Sequence, residues 1–456
     1  MDSNPAPTTL PHTRRTFVQR LGLAAGGLAV APLIIPSRVL GRDTTISPAN
    51  RITVGVIGVG RQSAYANIPG FLREADAQIV AVCDVDSWRR ERAKQQVEKH
   101  YAARAGSGSF KGCNTFKDWR ELIARADIDA VMIATPDHWH MIQAIAALKA
   151  GKDVACEKPL TRCIAEGRRL CEVVAQQKRV FRTDSEFRSN AALHRAAQLV
   201  RNEKLGQLQR IITVTPRDST LSPQPDMPAP AELDYDLWLG PAPVSPYTEQ
   251  RVHPPRNLRG RPGWISIRDY ADGMLANWGA HLNDIAMWAN DTEHTGPVEI
   301  EATGSYPPAG NLWNVIQEFD AHFRFANGVN LTCKTGEKPS VRFEGTEGWI
   351  QVGYPNDVEA STDSLLSWQP GANGLHLPFK TTEKRDFLDS VKSRTPPLYD
   401  AEAGHRVNSL SHLALASIQL GRKLRWDPAK ETLVGNADAA PLLQPKAMRP
   451  PWRLET

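Results

Sequence analysis

The first third of the chain alternates short apolar runs with helical patterns, and this alternation constrains the fold more than any other feature. Runs at 52–57, 78–83 and 130–134 are each followed by a helical stretch, and a fourth run ends at Lys158. Strands joined by helices at this spacing favour right-handed crossovers within one parallel sheet. Residues 43–184 are therefore predicted to form a doubly wound α/β domain, which closes with a helix near 166–177 and a strand near 179–183.

The pattern changes after residue 184. Strand-like segments then follow one another with short turns between them: 298–306, 315–325, 329–334 and 340–352. This order predicts a second domain, 185–430, of α/β type with an open and mostly antiparallel sheet, which would serve substrate binding and homo-oligomerisation. The proline-rich residues 217–262 are too many for a simple connection and are interpreted as a lid or wrapping loop. Residues 431–456 are predicted to be a tail packed on the surface.

Residues 1–42 have the pattern of an export signal. Arg14 and Arg15 precede Phe17 and a mild apolar run at 21–35, as in twin-arginine signals. The run is too short to span a bilayer comfortably as a helix. We expect export to the periplasm by the twin-arginine machinery, with no membrane span apart from a signal anchor if the signal stays uncleaved. A disordered basic tail is the alternative, and the cleavage site stays open.

The net charge of +5 is concentrated in this N-terminal stretch. Residues 1–50 hold five arginines and two aspartates, which account for +3 of the total. The rest of the chain has no basic footprint, so no nucleic-acid partner is expected. The six cysteines show no metal-ligand spacing and are interpreted as mostly buried thiols.

A glycine-rich turn follows the first strand. Gly58 and Gly60 occupy the first two glycine places of the dinucleotide fingerprint, with Ser63 in the third. Asp84 ends the next strand, where a carboxylate accepts hydrogen bonds from an adenosine ribose, and this favours NAD over NADP. Arg61 leaves NADP open, and a glycine turn without any nucleotide is the alternative. The predicted cofactor contacts are Gly58, Gly60, Arg61, Gln62, Asp84, Thr135, Pro136, His138, Glu157 and Lys158.

Lys158 stands between Glu157 and Pro159 at the end of the fourth run. Proline disfavours helix at the preceding residue, so the lysine is expected at the carboxyl end of a strand, where open parallel sheets bind ligands. A surface lysine is the alternative. His138 and His140 lie two residues apart and lack a third ligand, so no metal site is predicted.

A second polar pattern lies at 272–288. If this run is helical, Asn277, His281 and Asp284 share one face among apolar neighbours. A histidine flanked by an amide and a carboxylate can be held in one tautomer and can take a proton from a hydroxyl. A core histidine with hydrogen-bonded neighbours is the alternative.

Together these motifs resemble the Gfo/Idh/MocA oxidoreductase family. The resemblance rests on Glu157-Lys158-Pro159 after a nucleotide fingerprint, on 273–284, and on 421–427 near the end, and it covers the chain from about residue 51 to 428. It implies a Rossmann domain followed by an open antiparallel α/β domain, acting on sugars or polyols with NAD(P). The family's lysine falls on Lys158 and its histidine on His281. Many members have an aspartate where this chain has Asn277, and an amide cannot stabilise an imidazolium by charge.

The resemblance implies an exported enzyme that moves a hydride from a carbohydrate hydroxyl to NAD. His281 would accept the hydroxyl proton and Lys158 would hold the oxygen, with Asn277 and Asp284 orienting the histidine. Arg188, Tyr270 and Trp278 are the predicted substrate contacts. NAD is expected to stay tightly bound, because an exported enzyme cannot readily exchange it. Two alternatives stay open: a glycosidase or lyase that passes through a transient 3-keto sugar, and a non-catalytic carbohydrate-binding relative.

Overall fold

Six parallel strands form the first sheet, in the order β3-β2-β1-β4-β5-β6. The strands are β1 Ile52–Ile57, β2 Ala77–Cys83, β3 Asn114–Phe116, β4 Ala130–Ile133, β5 Asp153–Glu157 and β6 Phe181–Asp184. The helices between them are α1 Ile68–Arg73, α2 Ser87–Ala105, α3 Trp119–Ile123, α4 His140–Lys149 and α5 Ile164–Gln177. The predicted doubly wound sheet is confirmed, and only the short strand β3 was missed.

This computed structural model describes residues 50–105, 111–435 and 437–454. The predicted export signal, residues 1–42, lies outside the described residues. Within the described part of the chain, no helix has the length and apolar character needed to cross a bilayer.

Nine strands form the second sheet, in the order β13-β12-β11-β7-β10-β9-β8-β14-β15. They are β7 Leu208–Thr215, β8 Pro297–Ser305, β9 Glu318–Phe325, β10 Asn330–Thr335, β11 Ser340–Gly345, β12 Trp349–Gly353, β13 Asp357–Ala360, β14 Leu424–Asp427 and β15 Thr432–Leu433. All pairs are antiparallel except β7 with β10. The mostly antiparallel sheet is thus confirmed. The predicted single strand at 340–352 is in fact the hairpin of β11 and β12, because the chain turns at Gly345–Gly348.

Seven helices accompany this sheet among the described residues: α6 Ala191–Arg201, α7 Tyr235–Leu239, α8 Gly273–Asn277, α9 Gly279–Ala289, α10 Asp363–Ser367, α11 Glu383–Ser393 and α12 Ala401–Leu420. One face of the sheet packs on α6, α9 and α12 through alternating apolar residues such as Phe323 and Leu331. The other face presents polar residues, including the ion pair of Arg324 with Glu299. Self-association over this open face stays a prediction.

Helix α11 departs from the predicted domain division. The sequence assigns 383–393 to the second domain, but Phe387, Leu388 and Val391 are buried in the apolar cluster of the first sheet, together with Val54 and Ile79. Its apolar stripe therefore completes the core of the first domain.

The connection from 216 to 272, here called the strap, crosses back to the first domain. Arg89 on α2 is buried and donates hydrogen bonds to the carbonyl oxygens of Pro254 and Asn257, at 3.3 and 3.0 Å, and to Nε2 of His253 at 3.0 Å. The strap has the position expected of a wrapping loop.

The C-terminal tail also contacts the first domain. The ring of Trp452 packs edge-on against Trp139, with 4.6 Å between centroids.

Lys384 on α11 is the buried cation that joins this helix to the strand ends. Its ammonium contacts Asp184 and donates to Oδ1 of Asn67 at 2.8 Å, and only 1% of the residue is exposed. Lys384→Met should lower the free energy of unfolding by about 3–5 kcal/mol, since it leaves buried carboxylates with too little positive charge. Urea unfolding followed by circular dichroism measures this.

Lys380→Met is the matched control. Lys380 pairs with Asp389 at 2.7 Å, but both side chains are more than a third exposed. An exposed pair contributes about 0–1 kcal/mol. Equal losses in the two variants would contradict a special role for the buried pair.

Candidate active site

A cavity of about 430 Å³ opens at the carboxyl ends of β1, β2, β4 and β5. The strand order reverses between β1 and β4, which is where open α/β sheets bind nucleotides. The strap supplies the opposite wall through residues such as Asn257, Arg261 and Trp264. The cavity is therefore bounded by both halves of the chain.

The glycine turn forms one side of this cavity. Gly58 has φ +81°, and a Cβ there would lie 2.6 Å from the carbonyl group of Ala134, so only glycine fits. The buried Ser63 hydroxyl donates to the Gly58 carbonyl at 2.5 Å and holds the turn against the helix that follows. A Cβ at Gly60 would meet only Nη1 of the Arg89 side chain, at 3.9 Å, which leaves room for a ligand to approach the backbone closely. Arg61 and Gln62 line the rim at the helix start.

Asp84 lies beside this turn at the end of β2. Its carboxylate accepts hydrogen bonds from the backbone N–H groups of Val59, at 2.8 Å, and Asp86, at 2.9 Å. Burial, reinforced by the charge of Asp86, raises the pKa of Asp84. A carboxylate at a cavity wall next to an open glycine cradle fits the ribose and pyrophosphate of a dinucleotide.

Thr135 and Pro136 line the cavity as predicted, but His138 does not. The His138 ring packs against Tyr270, with 5.1 Å between centroids, and Nε2 lies 3.2 Å from the Trp238 carbonyl. Its assignment as a cofactor contact is corrected to a packing role. His140 lies between the carbonyl oxygens of Thr135 and Pro159, each 2.9 Å from a ring nitrogen. It therefore fastens the two loops that carry the cavity wall and Lys158.

Glu157 ends β5 and is 6% exposed. Its Oε1 accepts a hydrogen bond from Nδ2 of Asn67 at 3.1 Å. Burial, followed by repulsion from Asp184, raises the pKa of Glu157 to about 7. Burial also raises the pKa of Asp137, which lines the same cavity, to about 8. The cavity thus holds two carboxyl groups that titrate near neutral pH.

Lys158 and Asn277 meet across the two halves of the chain. The ammonium of Lys158 donates to Oδ1 of Asn277 at 3.3 Å, and both residues line the cavity with Trp278. Asn277 was predicted to orient His281, but its side chain holds the lysine instead. The lysine is therefore held at the cavity by a neutral partner.

His281 lies on α9 outside the cavity lining, and its Nδ1 is 2.6 Å from Oγ of Ser185. Phe187 stacks on the ring with 4.4 Å between centroids. Burial, together with the charge of Lys158, holds the pKa of His281 well below its ordinary value. The ring is consequently neutral at neutral pH.

The Ser185 hydroxyl decides where the neutral ring carries its proton. Oγ already accepts a bond from the backbone N–H of Phe187 at 3.3 Å, and Ser185 is fully buried. Among the described residues, Nδ1 is the acceptor for its hydroxyl hydrogen, which favours the proton on Nε2. The other tautomer leaves that hydrogen unsatisfied, at a cost of about 1–3 kcal/mol. Ser185 therefore makes His281 a weaker base than a carboxylate partner would.

Asp284 was predicted to orient His281 and Arg188 to contact the substrate, but the structure places these two side chains against each other. The guanidinium of Arg188 binds the carboxylate of Asp284 at 2.6–3.0 Å, and neither side chain is more than 3% exposed. Arg188 is also flanked by the rings of Trp288 and Tyr399, each 5.0 Å away. This buried pair fastens the segment that carries Ser185 to the helix that carries His281.

Tyr270 is also corrected, since it is fully buried against Trp238 and lies outside the cavity lining. Trp278 does line the cavity, as predicted. Neither Arg89 nor the role of Ser185 was predicted from the sequence. Arg89 lies among several charged residues of α2 and carries no local signal. Ser185 directly follows a strand end, and a single serine there carries no specific signal either.

Comparison with known proteins agrees with this geometry. Residues 52–185 match the oxidoreductase family domain described as an NAD-binding Rossmann fold, and residues 219–454 match the C-terminal alpha/beta domain of the same family. The chain belongs to the Gfo/Idh/MocA oxidoreductase family. The prediction of a nicotinamide-dependent oxidoreductase that binds NAD is confirmed.

Three relatives of this family member illustrate the range of similarity. Myo-inositol 2-dehydrogenase of Thermotoga maritima is 29% identical over 82% of this chain and 98% of its own. Levoglucosan dehydrogenase of Pseudarthrobacter phenanthrenivorans is 32% identical over 66% of this chain and 74% of its own. A glycosyl hydrolase family 109 protein of Saccharopolyspora erythraea is 31% identical over a shorter stretch, 34% of this chain and 35% of its own.

The Ser185 hydroxyl should affect kcat only through its hydrogen bond to His281. His281→Ala is expected to lower kcat by about 10²–10⁴, the usual contribution of a general acid or base. Ser185→Ala should lower kcat about three- to tenfold with little change in KM, because one hydrogen bond that orients the ring is lost. Steady-state kinetics of the two variants measure this.

The double variant provides the control. If Ser185 works through the ring, Ser185→Ala should cost nothing further once His281 is alanine. An equal loss in both backgrounds would show that the hydroxyl acts independently of His281.

Proposed function

We propose that this enzyme oxidises a secondary hydroxyl group of a sugar, polyol or glycoside. The observation that carries the proposal is the meeting of Lys158 with Asn277 beside the dinucleotide cavity, with His281 close enough for the lysine charge to lower its pKa. The names of two relatives, an inositol dehydrogenase and a levoglucosan dehydrogenase, support a polyhydroxylated substrate.

The chain supplies charge stabilisation and proton transfer, and bound NAD supplies the hydride acceptor. Lys158 binds the substrate oxygen and stabilises the negative charge that develops on it. As a base, His281 acts in its less favoured tautomer, with the ring proton on Nδ1 hydrogen-bonded to Ser185 Oγ, and it takes the hydroxyl proton at Nε2. Asn277 keeps the ammonium of Lys158 in place.

For the cofactor we propose NAD, bound tightly and preferred over NADP. A 2′-phosphate would face the Asp84 carboxylate, which is already partly desolvated. The strap closes the cavity and is held by the three hydrogen bonds of Arg89 to His253, Pro254 and Asn257. We infer that the dinucleotide leaves past the strap, so that having to break these bonds would slow its exchange.

A second candidate follows from slow exchange and from the partial similarity to a glycosyl hydrolase family 109 protein. Transient oxidation of a glycoside to its 3-keto form acidifies the neighbouring C–H bond. Loss of that proton and of the aglycone then breaks the glycosidic bond, water adds to the resulting double bond at C1, and return of the hydride to C3 restores the sugar hydroxyl. The net reaction is bond cleavage without redox change.

A panel of sugars, polyols and glycosides separates these functions. Purified protein is incubated with each compound and with NAD or NADP, while absorbance at 340 nm and product masses are followed. Accumulation of NADH identifies a dehydrogenase, and release of aglycone without NADH identifies the cleavage reaction. A protein that neither turns over any compound nor holds nicotinamide by mass spectrometry would be a binding protein, contrary to the proposal.

Lys158→Met should reduce turnover of the best compound by at least about a hundredfold, because the developing charge loses its stabilising cation. Binding of NAD and the urea midpoint should change little. Lys178→Met, an exposed lysine after α5, is the matched control and should keep full activity. Full activity in Lys158→Met would remove the lysine from the mechanism.

We also propose that the protein is exported by the twin-arginine machinery, supported by Arg14, Arg15 and Phe17 ahead of the apolar run at 21–35. Arg14→Lys with Arg15→Lys should keep the protein in the cytoplasm of the expressing cell, because the export receptor recognises the arginine pair. Cell fractionation with immunoblotting measures this, and Arg20→Lys is the control. Unchanged export of the double variant would refute the proposal.

A further inference from the structure

An aromatic surface extends from the active site to solvent. Phe187 stacks on His281 with one face and on Tyr354 with the other, with 5.9 Å between the second pair of centroids and 13° between the planes. Tyr354 is 45% exposed at the end of β12. The catalytic histidine is therefore connected to an exposed tyrosine ring through a single phenylalanine.

Trp278 and Tyr354 form two perpendicular walls of this surface, here called the corner. The Trp278 ring lies 5.1 Å from that of Tyr354 between centroids, and it also lines the cavity beside Lys158. One wall of the corner thus continues the wall of the cofactor cavity. A ligand that reaches from the cavity to the surface passes Trp278 first and Tyr354 second.

The exposed tyrosine is held in place. Its backbone N–H donates to the Pro339 carbonyl at 2.8 Å, and Nδ2 of Asn190 donates to Oδ1 of Asn356 at 2.7 Å, which fixes the turn that follows. An aromatic ring that is fixed before a ligand arrives loses little conformational entropy on binding. The corner is therefore preorganised.

Glu186 adds a polar group beside His281. Its side chain is 51% exposed, and Oε2 lies 3.8 Å from Nδ1 of His281. An aromatic wall packs against the apolar C–H face of a sugar ring, and a carboxylate accepts hydrogen bonds from its hydroxyl groups. These are the two kinds of contact that a pyranose ring offers.

We propose that Tyr354 and Trp278 form an outer subsite for the second ring of a glycoside, the ring that is not oxidised. The inference rests on the proposed function, since it specifies the substrate class of the same site. The oxidised ring must contact Lys158 in the cavity, whereas Tyr354 lies beyond Phe187 at the surface. The preferred substrates are therefore glycosides with a ring-shaped aglycone or a second sugar, rather than single-ring polyols.

The test compares methyl and 4-nitrophenyl glycosides of the best sugar in the panel. Tyr354→Ala should raise KM for the nitrophenyl glycoside about three- to tenfold and leave kcat unchanged, because aromatic stacking is lost only for the second ring. KM for the methyl glycoside should not change. Tyr354→Phe keeps the ring and should behave like the unaltered protein.

Tyr306→Ala is the matched control, because Tyr306 is a 37% exposed tyrosine on a different part of the surface, against Arg268. It should change neither constant. Equal increases in KM for both glycosides after Tyr354→Ala would overturn the subsite while leaving the oxidoreductase function intact. A change in oligomeric state in light scattering, with both activities lowered, would assign the ring to a subunit interface and also overturn it.

A binding measurement keeps the subsite testable if no compound is turned over. Calorimetric titration of Lys158→Met with the nitrophenyl glycoside should give a dissociation constant that Tyr354→Ala raises about three- to tenfold in the same background. An unchanged constant refutes the subsite whether or not the enzyme is active.

Discussion

Two carboxylates in register at neighbouring strand ends are the constraint on which the site depends. Glu157 at the end of β5 is paired with Asp184 at the end of β6. Placed side by side and buried, they would repel each other strongly. Lys384 and Arg182 bind Asp184, and Asn67 connects Lys384 to Glu157. The next residues along the two strands are Lys158 and Ser185, so the network that neutralises the acids also fixes the lysine and the partner of His281.

The second half of the chain contributes structure to the first at three places. Helix α11 buries Phe387 and Leu388 against the first sheet and carries Lys384 to the strand ends. The strap is bound by Arg89, and the Arg188–Asp284 pair joins the segment after β6 to α9. Such buried pairs add little net stability, because desolvation offsets much of their attraction. Their geometry instead fixes how the lysine of one half meets the helix of the other.

Local pattern was enough to predict the strands of the first sheet, the glycine turn, Asp84 and Lys158, since each depends on residues close in sequence. The partners of His281 were not predictable in the same way. Helical spacing places Asn277 and Asp284 on one face with the histidine, but it does not say which side chains from elsewhere reach that face. Asn277 is hydrogen-bonded to Lys158, which is 119 residues away in sequence, and Asp284 is paired with Arg188, which is 96 residues away. Helix α11 was misassigned for the same reason, because an apolar stripe does not identify the sheet that it covers.

The neutral partners of the two catalytic residues give the site its electrostatic character. Among the described residues, Lys158 is bonded to an amide and His281 to a hydroxyl, so no carboxylate hydrogen-bonds to either. A carboxylate there would stabilise an imidazolium but would also repel a negative substrate oxygen. Burial and the charge of Asp184 raise the pKa of Glu157, which weakens the negative charge next to Lys158. In the proposed reaction this arrangement would favour negative charge on the substrate oxygen over positive charge on the histidine, so the field of Lys158 would be the main assistance to hydride departure.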